Sequence, residues 1–158
     1  MPRKFDDIDY RIIKVLQEKG RISNLDLSRE VGLTPAPTLG RVRNLEKQRV
    51  IEGYHAQVNL TKLGITVKAL IQVTLHQHKG VNIRDFIDAI MEIPEVVDCY
   101  QVTGDYDYLL RVYSSSVEDL DRLITQSISK IPEVGLIKSH IILSHIKHSR
   151  VVPNLIKD

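Results

Sequence analysis

The run "TGDYD", Thr103–Asp107, sets a glycine among hydroxyl and carboxylate side chains. Gly104 can take backbone conformations closed to other residues, which leaves N–H groups free to hold a carboxylate. Asp105 or Asp107 can pair with an ammonium group. With Thr103 and Tyr106 beside them, these residues have the chemistry of a small receptor for a zwitterion. They equally make an ordinary Gly-Asp hairpin turn. A second concentration of chemistry is positive charge: Leu33 to Val50 holds Arg41, Arg43, Lys47 and Arg49 against Glu46 alone. That is the footprint expected on phosphates, or the solvated face of a helix.

The elements that must carry the cations are helical. Ile8, Ile12, Val15 and Leu16 form one stripe of an amphipathic helix from Asp7 to Glu18, capped by Asp6 or Asp7. In "RISNLDLSREVG", Ser23 is an N-cap with Asp26 three residues on. Ile22 and Leu27 are placed for a hydrophobic staple, and Gly32 ends the helix. The next stretch, "GLTPAPTLGRVRNLE", carries Pro35 and Pro37 at the front of the most basic helix. The first four N–H groups of a helix have no partner within it, so proline forfeits nothing there, and its φ is already helical. Thr34 then caps, and Pro35 is the first helical residue. Ala36, preceding a proline, is biased against the α region, which argues for a later start. Helix, short turn, helix, with small Ser28 and a glycine at the turn, is the helix-turn-helix pattern.

On the third helix Thr38, Val42 and Leu45 face inward. Steps of 100° turn Ala36, Gly40, Arg43 and Lys47 outward, flanked by Asn44 and Arg41. The end that would enter a major groove is Ala36, Pro37 and Gly40, small and nearly without hydrogen-bonding groups. Arg41, Arg43 and Lys47 would then grip phosphates while base reading stays sparse, so discrimination is modest and rests on DNA shape and bending.

The hairpin belongs to a second pattern. "VIEGYHAQVNL" reads as an extended linker, bent at Gly53. From Thr66 the order is β-α-β-β-α-β. Val67, Ala69, Ile71, Val73 and Leu75 alternate as a strand, and Ile83, Phe86, Ile87 and Ile90 make a helix ended by Pro94. "VVDCYQVT" and "YLLRVYS" join through "GDYD". Ser116 opens a helix with Leu120, Leu123, Ile124, Ile128 and Ile131, and "GLIKSHIILSHIKH" closes as a long strand. "IPEV" recurs at Ile93–Val96 and Ile131–Val134, each time between helix and strand. Two such halves make an α+β, ferredoxin-like sheet with helices on one face only. The other face calls for cover by another subunit.

The chain thereby divides into a helix-turn-helix domain (1–50), an extended strand linker (51–64), a βαββαβ domain (65–150) and a C-terminal tail (151–158). Net charge is only +2 over 158 residues, and its distribution is uneven. Met1–Tyr54 has 11 Lys+Arg against 8 Asp+Glu, a net of +3; the remainder has 11 against 12, a net of −1. Apolar runs of at most three or four residues exclude a membrane helix, and the charged N-terminus lacks a signal core. The single cysteine, Cys99, excludes an internal disulfide and suits a reducing cytoplasm.

Six histidines raise metal binding, with His76 and His78 on one strand face and His140, His145 and His148 near the end. No carboxylate is spaced to complete a site, so surface histidines are the preferred reading. Nucleophile elbow, phosphate-cradling glycine loop and metalloprotease helix are all absent, so no catalytic residue, metal or cofactor is assigned.

"DDIDYRIIKVLQEKGRISNLDLSREVGL", "RVRNLEKQRVIEGY" and "VTGDYDYLLRV", in this order, resemble the Lrp/AsnC (feast/famine) transcriptional regulators, closest to their leucine-responsive branch. Gly40, where the family has a longer polar residue, and Thr38, where it has an apolar one, depart from the pattern. The resemblance implies a winged or extended helix-turn-helix that binds double-stranded DNA. It further implies a second domain, called RAM, that forms dimers and rings, commonly octamers of four dimers. An amino-acid effector, often leucine, would bind between dimers. Family sites also draw on the preceding strand and on a neighbouring subunit's last strand, which adds Tyr100, Val102, Ile141 and Ile142; the two isoleucines point toward an aliphatic effector. An architectural DNA-binding protein without effector and a metal-sensing regulator are the alternatives.

Overall fold

The computed structural model describes residues 5–76 and 83–147. These fall into two compact units, the second being Val58–His145 and the first the remaining residues. His78, His148, the end of the expected last strand and the expected tail lie outside the described residues.

In the first unit, α1 (Asp7–Glu18), α2 (Asn24–Val31) and α3 (Pro35–Lys47) close around Ile12, Leu27, Val31 and Leu45, all buried. Asp6 is the cap of α1, in a full reciprocal box with Asp9. Ser23 caps α2, its hydroxyl accepting the Asp26 amide at 3.1 Å and donating to the Asp26 carboxylate at 2.6 Å. Ile22 and Leu27 pack into the same core, as the staple requires. Gly32 ends α2 at φ 75°, in the left-handed region that glycine enters without steric cost.

α3 does begin at Pro35, and Ala36 is helical despite preceding a proline. Thr34 stands at the cap, yet its side chain bonds no helix amide. A cap side chain seeks the second or third amide of the helix, and the third residue here is Pro37, which has none. Tertiary bonds hold this helix start instead, with Asn24 Nδ2 donating to the Pro35 carbonyl at 2.9 Å. Thr38 is fully buried, its hydroxyl donating to the Thr34 carbonyl at 2.9 Å, which explains a polar residue at an inward position. The helix closes with Val50 N–H on the Leu45 carbonyl (2.9 Å) and Arg49 N–H on that of Glu46 (3.0 Å). Arg49 itself takes φ 59°, where such a closure commonly uses glycine.

The expected strand at 51–64 does not form. Residues 52–59 follow an irregular path, and Leu60–Leu63 wind into one 3-10 turn, capped by Asn59 and closed by Gly64. An extended segment becomes a strand only beside a partner, and none adjoins this one among the described residues.

The second unit is a four-stranded antiparallel sheet ordered β2-β3-β1-β4, from β1 (Val67–Leu75), β2 (Val96–Gln101), β3 (Tyr108–Ser114) and β4 (Val134–Ile141). Alternation in β1 sends Ala69, Ile71, Val73 and Leu75 to one face, and Tyr108, Leu110 and Val112 of β3 join them. α4 (Ile83–Met91) and α5 (Val117–Arg122), with the turn that follows α5, cover that face with Phe86, Ile90, Leu120 and Leu123. Both "IPEV" copies make the same turn. Val96 N–H bonds to the Ile93 carbonyl at 3.1 Å, and Val134 N–H to that of Ile131 at 3.0 Å.

The expected helix of Ile83, Phe86, Ile87 and Ile90 forms, with Phe86 and Ile90 buried and Ile83 and Ile87 exposed. Two expectations change here. The helix opened by Ser116 does not stay α. After Arg122 it widens into a π turn at Leu123–Ser127 and ends in a 3-10 turn at Ile128–Lys130. The extra residue lets Leu123 and Ile128, five apart, both reach the core. The last strand stops at Ile141 rather than continuing to His148: β1 begins at Val67, and the Ile142 amide on the Lys68 carbonyl (2.8 Å) takes the last acceptor β1 offers.

The face away from the helices carries Leu70, Gln72, Leu109, Arg111 and Tyr113, all half-buried. Arg111 pairs with Asp98, and the Tyr113 ring has Lys68 Nζ at 5.7 Å and the Arg111 guanidinium at 5.9 Å from its centroid.

Candidate functional site

Burying Thr38 and Leu45 leaves one exposed surface on α3. Thr34, Ala36, Pro37, Gly40, Arg43, Asn44 and Lys47 all lie on it. Its front carries little side chain: a Cβ built on Gly40 would meet no atom within 4 Å. Its rear carries the cations. Arg41, expected among the phosphate-facing residues, points elsewhere. Its Nη1 donates to Asp6 Oδ2 and to Asp9 Oδ1, both at 2.8 Å, which turns the side chain against α1. The Asp9 amide first, and the Arg41 guanidinium with it, hold the Asp6 carboxyl below its usual range. Asp9 and then Asp6 raise the pKa of Arg41 in turn. Asp6 and Asp9 are partners of Arg41 that sequence reasoning missed. Their spacing marks a capping box, but nothing in it signals a cation 32 residues further on.

The second site is the β2–β3 hairpin. Gly104 takes φ 127°, a conformation that favours glycine. The Asp107 carboxylate accepts the Leu75 amide at 2.7 Å, and the Asp107 amide donates to the Val73 carbonyl at 3.0 Å. A cleft of ≈ 320 Å³ opens against Gly104, Asp105, Tyr106 and Asp107, walled by Thr74, Leu75 and His76 of the β1 end and by Ile83, Gln101 and Tyr108. This volume is at the small end of ligand sites. The six wall residues were not foreseen. The signal was the pairing of Val73 with Tyr108, which sets the end of β1 beside the hairpin. Tyr108 is buried with its ring 4.6 Å from that of Phe86, and its hydroxyl finds no partner among the described residues. Burial pushes its pKa up.

The remaining expected residues do not line the cleft. Thr103 sits in the turn beside it, Val102 is half-buried, and Tyr100 is exposed on β2. Ile141 pairs with Ala69, six residues before Leu75, so roughly 20 Å of strand at ~3.3 Å per residue separates it from the hairpin. Ile142 is one residue further. Neither can reach the cleft of its own chain.

A winged helix-turn-helix DNA-binding family model matches residues 5–52, and the Lrp/AsnC ligand binding domain matches residues 68–152. The chain belongs to the Lrp/AsnC family. This Lrp/AsnC protein is 35% identical over 147 residues to the leucine-responsive regulatory protein of Haemophilus influenzae, covering 93% of this chain and 89% of that one. A transcriptional regulator from Neisseria meningitidis, solved as a complex with L-Met, superposes with a TM-score of 0.90 at 30% identity, covering 94% and 96% of the two chains. An AsnC family transcriptional regulator from Agrobacterium tumefaciens gives a TM-score of 0.87 at 30% identity, covering 94% and 97%. The chain is thus a transcriptional regulator with a DNA-binding helix-turn-helix and a ligand-binding domain, and is not an enzyme. No helix of the described residues is long and apolar enough to cross a membrane.

Proposed function

We propose that this Lrp/AsnC regulator acts in the cytoplasm as an amino-acid-responsive regulator. It lays the exposed face of α3 on double-stranded DNA and takes its effector in the hairpin cleft. Thr34, Ala36, Pro37 and Gly40 approach the bases closely with few hydrogen-bonding groups. Arg43, Asn44 and Lys47 contact phosphate, so discrimination between sequences is modest and DNA bending contributes. In the cleft the amides around Gly104 hold the carboxylate of an amino acid, and Asp105 with Asp107 meets its ammonium group. Apolar Leu75 and Ile83 suit an aliphatic side chain such as that of leucine. Subunits pair through the sheet face that lacks helices, and four such dimers assemble into an octamer. Ile141 and Ile142 then serve the cleft of a neighbouring subunit, with Tyr100 and Val102 near that contact. The helix-turn-helix domain ends at about residue 50, and residues 51–64 link it to the effector domain.

The observation that carries the effector reading is the cleft at the Thr103–Asp107 turn, where Gly104 at φ 127° leaves open space beside two carboxylates. A thermal-shift screen of the purified protein against the twenty amino acids tests it. A ligand of the folded state raises stability by RT ln(1 + [L]/Kd). A shift for leucine or related residues, lost in Asp105→Ala, supports the reading. No shift for any amino acid moves the protein to an architectural role that ignores them.

A further inference from the structure

We propose that Arg41 is a positioning residue for DNA recognition, an electrostatic clamp that sets α3 against α1 and does not itself touch phosphate. The proposal rests on the reading that the exposed face of α3 meets DNA. Its basis is a closed ring of bonds in which each carboxylate serves two partners. Asp6 accepts the Asp9 amide on Oδ1 (2.9 Å) and Arg41 on Oδ2 (2.8 Å); Asp9 accepts the Asp6 amide on Oδ2 (3.1 Å) and Arg41 on Oδ1 (2.8 Å). The capping box orients both acceptors before Arg41 arrives, and both go to one nitrogen, Nη1. The Asp9 side chain is only 14% exposed, so the pair is partly shielded from water and from salt.

A clamp answers a need of this helix. Pro35, Pro37 and Gly40 occupy its first half, Thr34 contributes no side-chain cap, and glycine is the weakest ordinary helix former. The apolar contacts of Ile12 and Leu45 hold α3 close to α1 but fix its rotation poorly, because apolar contact is not directional. Paired, hydrogen-bonded charges are directional. Nη1 is committed to both carboxylates, which holds the guanidinium against α1; were it to turn to a phosphate instead, the two acids would lie uncompensated near the DNA.

Binding of a labelled mixed-sequence DNA duplex, measured against salt concentration, separates the two roles. Each phosphate contact contributes a slope of about 0.9 in log K against log [salt]. Arg43→Ala and Lys47→Ala should each reduce the slope by about that amount. Arg41→Ala should weaken binding several-fold at every salt concentration with the slope unchanged, and Arg41→Lys should recover part of the loss. Asp9→Asn keeps an oxygen for the Asp6 amide, so it folds even where Arg41→Ala does not, and it should weaken binding in the same way. A slope reduced in Arg41→Ala as in Arg43→Ala, or tighter binding by Asp9→Asn, overturns the proposal. Unchanged slopes for Arg43→Ala and Lys47→Ala overturn instead the placement of DNA on α3.

Discussion

Asp107 and Leu75, 32 residues apart, are joined by a 2.7 Å bond from the Leu75 amide to the Asp107 carboxylate. Through it the turn of the β2–β3 hairpin is tied to the end of β1, and both line the cleft. One oxygen of Asp107 is thereby committed to the protein. The exposed carboxylate of Asp105 is the freer of the two for an ammonium group.

Replacing Asp107 with alanine should therefore act twice. It leaves the part-buried Leu75 amide without its partner, at a cost of about 1–3 kcal/mol, and it removes charge from the cleft. Thermal melts with and without amino acids should show a lower Tm and no ligand-induced shift, while DNA affinity stays near that of the parent. Asp107→Asn keeps an acceptor and should restore most of the Tm without restoring the shift. A full shift in the asparagine variant would mean that the charge of Asp107 plays no part in binding.

The two helix caps of the first unit invite a direct comparison. Ser23 bonds the Asp26 amide, whereas Thr34 bonds no helix amide, the equivalent third position being Pro37. Ser23→Ala should cost about 1 kcal/mol, and Thr34→Ala, which breaks no side-chain cap bond, clearly less. Urea unfolding of the two variants checks this, and equal losses would contradict the account of the α3 start.

Legibility in the sequence followed the range of the interaction. Caps, the staple, the proline start of α3 and the alternation of β1 are local, so each could be read from neighbours in the chain. The "IPEV" repeat gave both strand entries for the same reason. What failed was decided elsewhere. The 51–64 segment has strand-like composition but no partner among the described residues, β4 ends where β1 runs out, and the π turn after Arg122 arises because Ile128 must reach a core built by distant strands. The site divides likewise. The Thr103–Asp107 turn was readable as a glycine with two acids, while the cleft walls from β1 and the Asp6–Arg41–Asp9 ring depend on contacts more than thirty residues apart.

Tyr54 gives the first unit an alkaline response. Its hydroxyl donates to Glu46 Oε1 at 3.0 Å, and burial, with the Glu46 carboxylate beside it, pushes its pKa up to about 12 from an ordinary 10.0. The folded state thus keeps the proton that the unfolded chain releases. This contribution is complete below about pH 10 and is lost as pH rises from about 10 to 12. Tyr54 is 48% exposed, so solvent screening keeps the contribution small. Stability measured against pH should fall more steeply over that window in the parent than in Tyr54→Phe. Identical curves would remove Tyr54 from the account.

Gly40 is the residue whose replacement bears most directly on how α3 meets DNA. It lies within the helix, and a Cβ there would touch nothing. Gly40→Ala should stabilise the first unit by roughly 0.5–1 kcal/mol through helix propensity alone, with no change in salt slope. Gly40→Arg should add a cation to the exposed face, tightening binding to a mixed-sequence duplex and steepening the slope by about 0.9. Both variants being more stable while both bind more weakly would carry a different message. The glycine would then be required by close approach of the α3 backbone to the floor of the groove, where even a methyl group collides, and DNA shape would be read through the bare front of the helix.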